Sequence, residues 1–148
     1  MNDLDGVEVL LVEDNPHDAE MTIRALTKCN FGHKLFWVKD GVEALDFIRC
    51  TGAYEGRNPQ RHLKLVLLDL KMPRLNGLDV LRELKSDAKS STIPIVVMTS
   101  SNEDRDVLES YELGVNGYVT KPVRYAAFIE TVERIGVYWL TLNQSPAR

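Results

Sequence analysis

The chain has 148 residues, with 18 Lys and Arg against 22 Asp and Glu and a formal net charge of −4. That length suits one domain, whose folding buries roughly two-thirds of the surface its unfolded chain exposes. Hydrophobic residues at 44% and charged residues at 27% exclude intrinsic disorder. The mildly acidic balance, without a basic cluster, excludes a grip on nucleic-acid phosphates. Apolar runs reach only about five residues where a membrane span needs ~20.

The start, Met1 to Gly6, is acidic and polar, unlike a secretion signal. Cys29 and Cys50 lie far apart and fit a reducing compartment, so a cytoplasmic location is expected. The first apolar segment, Val7–Val12, reads as a strand. Asn15-Pro16 follows as an N-cap and first-turn proline, opening a helix with Ala19, Ile23 and Leu26 on one face. Lys34–Val38 is the second strand, and Val42, Leu45 and Ile48 mark the second helix. Cys50 to His62 carries Gly52, Gly56, Asn58 and Pro59 and reads as a long loop.

Leu65–Asp69 is the third strand, followed by a helix bearing Leu78, Leu81 and Leu84. After the fourth strand, Ile95–Thr99, Ser100 and Glu103 spell a capping box before a helix with Val107 and Tyr111. The fifth strand is Gly117–Val119. A last helix from Arg124 to Leu142 carries the stripe Phe128, Val132, Ile135 and Trp139. Residues Asn143 to Arg148 are expected to fray. Strand and helix alternate five times, which predicts an α/β fold: a doubly wound five-stranded parallel sheet with helices on both faces. The domain spans 1–148, with a core at about 7–137 and a helical extension to about 142.

Ligands of such sheets bind beyond the carboxyl ends of the strands. The first strand ends in Glu13-Asp14, the third in Asp69, the fourth in Thr99, and the fifth runs into Lys121-Pro122, whereas the second ends at Lys39 with nothing comparable. In the order 2-1-3-4-5 the four equipped strands are neighbours, ~4.8 Å apart. Three carboxylates, a hydroxyl and an ammonium then share one pocket. Carboxylates at such range repel one another, and a hard cation, Mg²⁺ or Mn²⁺, relieves them through oxygen ligands. Asp69 suits an aspartyl-phosphate nucleophile, Lys121 meets the phosphoryl oxygens and Thr99 donates a hydroxyl.

Glu13-Asp14, Asp69 with Met72-Pro73 and Asn76-Gly77 behind it, Thr99-Ser100 and Lys121-Pro122 together resemble the response-regulator receiver domain of two-component signalling. The resemblance covers about Val7 to Val137. It implies the flavodoxin-like receiver fold and phosphoryl transfer from a sensor histidine kinase to Asp69. It further implies a cation on Glu13, Asp14, Asp69 and the backbone carbonyl of Lys71, a switch pair Thr99 and Tyr118, and a cis Lys121-Pro122 bond. Lys71, at the rim, sits where the family tunes phosphate lifetime. The long loop, the Ser110-Tyr111-Glu112-Leu113 segment and Tyr138-Trp139-Leu140 are similar to small single-domain regulators paired with bacterial phytochrome kinases. Such a chain is no enzyme beyond its own phosphorylation and slow autodephosphorylation, and signals through a downstream partner protein.

Plainer readings stand beside these. Asp14, Thr99 and Ser100 also suit helix caps, and Tyr118 suits a plain strand aromatic. Tyr138, Trp139, Leu140 and Leu142 divide between core and a homodimer contact. His17, His33 and His62 lack ligand spacing and, like the two cysteines, are expected at the surface. A phosphorylation-independent interaction scaffold is the alternative function; it would lack the nucleophile, the acidic pair or the lysine. A flavodoxin-like carrier is disfavoured because Glu13-Asp14 would repel a flavin phosphate, and a haloacid-dehalogenase-type phosphatase because Asp69-Leu70-Lys71 is not Asp-x-Asp.

Overall fold

The computed structural model describes residues 3–58 and 63–146, and its five parallel strands lie in the order 2-1-3-4-5. They are β1 Val9–Val12, β2 Leu35–Val38, β3 Leu65–Leu68, β4 Ile95–Thr99 and β5 Gly117–Thr120. The crossovers are α1 Pro16–Lys28, α2 Gly41–Arg49, α3 Gly77–Ser86 and α4 Asp104–Glu112. Helix α5, Tyr125–Val137, follows β5 and continues into a π-helical turn, Tyr138–Leu142.

Successive strand residues point to opposite faces, so an uninterrupted apolar strand feeds two cores. Leu10, Val12, Val66 and Leu68 pack with Phe47 of α2 and Leu81 of α3. Val9, Leu11, Leu65 and Leu67 pack with Leu26 of α1 and Phe128 of α5. Each fully buried side chain of this size contributes about 1.5–3 kcal/mol, which is why both faces must be covered. No helix among the described residues is long and apolar enough to cross a membrane.

The expected start of α1 holds, since the Asn15 side chain accepts from the amides of His17 and Asp18. The start of α4 differs. Glu103 occupies the N-cap without a side-chain cap bond, and Ser100 is exposed. Ser101 takes the local role instead: its hydroxyl accepts from the Glu103 amide at 3.4 Å and donates to Asp106 at 2.6 Å. The turn after Thr99 leaves the Ser100 side chain in solvent, and the buried Ser101 is the serine that meets the first turn of α4. Helix α4 is also anchored thinly. Its only buried residue is Ser110, and Tyr111, expected inward, is 53% exposed.

In the long loop, Tyr54 is buried against the rings of Phe36 and Phe47. Residues 59–62, with Pro59 and His62, and 147–148 of the expected frayed end lie outside the described residues. His17 and His33 are exposed, but both cysteines are half-buried: Cys29 contacts Glu133 and Cys50 receives a hydrogen bond from Arg57. At the chain's end Leu140 is core and Trp139 packs on it, while Tyr138 and Leu142 are exposed.

Candidate functional site: an ammonium among carboxylates

Backbone ladder bonds carry past the strand ends and set the site. The Glu13 amide donates to Val38, the Asp69 amide to Val12, and the Lys121 amide to Thr99, at 2.7–3.1 Å. Each functional residue is therefore fixed to the neighbouring strand before its side chain makes any contact. Behind Asp69, Asn76 caps α3 by accepting from the Asp79 amide. Gly77 follows it because a Cβ there would overlap the Asp69 carbonyl. The Asn76-Gly77 pair thus lets α3 start against the backbone of Asp69 and Leu70.

The Lys121 Nζ lies 2.6 Å from Glu13 Oε1, 2.9 Å from Asp69 Oδ2 and 2.9 Å from Asp18 Oδ2. Its side chain is only 9% exposed. Burial alone would make this ammonium more acidic, but its bonds to Glu13, Asp69 and Asp18 hold its pKa well above the ordinary value. Burial pushes Glu13 up to about 8, reinforced by the Asp69 charge and opposed by Lys121. Burial would also raise Asp69, yet the hydrogen bond and charge of Lys121, with help from Glu13, hold it below its ordinary value. Burial thus favours the neutral form of Glu13, while Lys121 favours the ionised form of Asp69.

Thr99 is fully buried, and its Oγ1 has no hydrogen-bond partner although it faces Asp69. An orphaned hydroxyl at this position suits an incoming oxygen atom. Tyr118 is partly buried, and its hydroxyl donates to the Ser101 carbonyl at 2.8 Å, tying β5 to the turn after β4. The Lys71 amide donates to Asp69 Oδ1 at 3.2 Å. Asp14 is exposed and, with Lys71, Met72 and Asp106, lines an open cavity at the mouth of the site.

One oxygen each from Glu13, Asp14 and Asp69 lie within 4.8 Å of one another. Oxygen-only donors, an excess of carboxylates over ammonium and an open mouth fit a hard divalent cation that keeps some of its waters.

The expected cis bond is absent: the described residues contain no cis peptide, so Lys121-Pro122 is trans. Trans is the lower-energy isomer by about 0.5–1 kcal/mol, and three carboxylates already aim the ammonium inward without help from the backbone. Two participants were not foreseen. Asp18 lies on the first turn of α1, three residues after the Asn15 cap, and so opens toward the strand ends that carry the site. Trp37, on the strand expected to offer nothing, donates its indole N–H to the Glu13 carbonyl at 2.7 Å.

Residues 9–133 match the response regulator receiver domain. A probable methanogenesis regulatory protein, FilR2, of Methanothrix harundinacea is 40% identical over 138 residues, covering 93% of this chain and 86% of that protein. Response regulator Rcp1 of Synechocystis is 37% identical over 139 residues, covering 94% of this chain and 92% of that protein. The crystal structure of its Mn²⁺-bound form superposes with a TM-score of 0.86 at 36% identity, over 94% of this chain and 98% of that one. The phosphorylated cyanobacterial phytochrome response regulator RcpA superposes with a TM-score of 0.87 at 35% identity, over 94% and 97%.

Proposed function

The chain belongs to the response regulator receiver family, and on that premise we propose that it is a response regulator phosphorylated on Asp69 by a sensor histidine kinase. The observation that carries this reading is the buried Asp69 bonded to Lys121 at 2.9 Å, with the unpartnered Thr99 hydroxyl beside it. An Asp69 carboxylate oxygen attacks the phosphorus of a phosphohistidine. The phosphorus–nitrogen bond breaks, the imidazole nitrogen keeps the electron pair, and an acyl phosphate forms. A divalent cation, Mg²⁺ or Mn²⁺, held by Glu13, Asp14, Asp69 and the Lys71 carbonyl, would neutralise the phosphoryl oxygens. Lys121 binds a second phosphoryl oxygen and Thr99 donates to a third.

The Thr99 hydroxyl moves toward the phosphoryl group and shifts the turn that Tyr118 grips through Ser101. Helix α4, thinly anchored beyond that turn, changes its packing, so signalling is a population shift. Phosphorylation is the chain's own and its loss is slow hydrolysis, with no other substrate turned over. Likeness to RcpA, a phytochrome response regulator, supports a phytochrome-type kinase as the donor. The output passes to a downstream protein or to a second copy docking on Tyr138 and Leu142, both exposed at the end of the chain.

The test is incubation with Mg²⁺ and acetyl phosphate, followed by intact-mass measurement beside Asp69→Asn. One added phosphoryl group in the parent and none in the variant is expected. A folded parent that takes no label from acetyl phosphate or from a kinase would leave the interaction scaffold as the reading.

A further inference from the structure

We propose that Asp18 is a positioning residue: it holds the Lys121 ammonium at the phosphoryl site when Glu13 and Asp69 turn to the divalent cation. The inference rests on the receiver reading above. An ammonium has three N–H bonds, and Lys121 directs them to Glu13, Asp18 and Asp69. Two of those acceptors also belong to the carboxylate cluster that suits a cation. Asp18 does not. A cation arriving on Glu13 and Asp69 withdraws electron density from both and repels an ammonium resting on the same oxygens. Without a third acceptor, the ammonium must either compete with the cation or leave the site.

Asp18 is built to stay where it is. Its amide donates to the Asn15 cap at 3.1 Å, and its carbonyl accepts the Thr22 hydroxyl at 2.9 Å. The next residue, Ala19, is fully buried in the core beneath α1. The carboxylate is thus carried on a first turn fixed by its cap, by Thr22 and by the core beneath it. It faces the Lys121 stem from α1 while the cation cluster faces it from β1 and β3. A first-turn acid that only complemented the helix dipole would have no reason to point at this ammonium.

Three variants separate positioning from a plain structural role. Mg²⁺ binding is measured by titration calorimetry on the full chain, at an ionic strength high enough to screen the longer-range field of the removed charge. Asp18→Asn is expected to weaken Mg²⁺ binding by about threefold to tenfold, the coupling of groups in direct contact. In a Lys121→Met background, where no ammonium needs holding, the same change is expected to shift affinity by less than about twofold. Lys121→Gln serves as the background if the methionine variant does not fold. Asp18→Glu, which keeps a carboxylate, is expected to recover most of the lost affinity. Unchanged affinity in Asp18→Asn, or an equal loss in both backgrounds, would overturn the role of Asp18. A parent chain that binds no Mg²⁺ would instead overturn the receiver reading, and this inference with it.

Discussion

The indole N–H of Trp37 donates to the backbone carbonyl of Glu13 across 2.7 Å, so one tryptophan is wired to the first carboxylate of the site. A cation that reorders Glu13 changes the environment of that ring. Mg²⁺ is therefore expected to alter tryptophan emission in the parent chain and in Trp139→Phe, but not in Trp37→Phe. A response that follows Trp139 instead would place the change at the end of α5.

The proton on Glu13 sets a pH dependence. Its folded value of about 8 lies above the ordinary 4.5, so the folded chain binds this proton more tightly than the unfolded chain. Glu13 then supports metal-free stability most below about pH 4.5, and that support declines as the pH rises to about 8. Metal binding runs the other way, because a carboxylate ligand must be ionised. Mg²⁺ affinity is expected to fall by up to about tenfold per unit below pH 8 in a calorimetric titration series.

Thr99→Val separates function from stability. A buried hydroxyl without a partner contributes nothing to the metal-free fold, so its removal is expected to leave urea stability unchanged or raise it by about 1 kcal/mol. Labelling of Asp69 persists at a reduced rate. The phosphorylation-dependent change in amide exchange of α4 is lost, because nothing pulls the turn gripped by Tyr118.

Gly77→Ala probes the seam between α3 and the nucleophile. A methyl group there meets the carbonyl of Asp69 and the Cα of Leu70. Backbone must shift, at a cost of about 1–3 kcal/mol, and Asp69 shifts with it. Lower urea stability and slower labelling by acetyl phosphate are expected together. Gly6→Ala, with nothing within 4 Å of the new methyl group, is the control and is expected to change stability by less than about 0.5 kcal/mol.

The equipped strand ends were legible because buried parallel strands are apolar until the residue that leaves the sheet, whereas the strand order followed from the resemblance to the receiver family. Glu13, Asp69 and Lys121 stand out at those exits, with Thr99 as the last residue of its strand. The helix Asn15 caps was legible for the same local reason. Asp18 was not, since an acid in a first helical turn is already explained by the helix dipole. Trp37 was hidden because it reaches the site through a backbone carbonyl, which no side-chain pattern records. Thr99, Ser100 and Ser101 form a hydroxyl run, and which serine meets α4 depends on the course of the turn after Thr99, which like residue types do not distinguish. The isomer of Lys121-Pro122 depends on tertiary packing that the dipeptide does not encode.

Asp69 is the residue proposed to carry the phosphoryl group. Borohydride reduces an acyl phosphate and converts the aspartate that bore it to homoserine. Peptide mapping after Mg²⁺, acetyl phosphate and borohydride is predicted to find homoserine at position 69 and aspartate at positions 14 and 18. Homoserine at another aspartate, or aspartate unchanged at position 69 in a folded and labelled chain, would contradict the account.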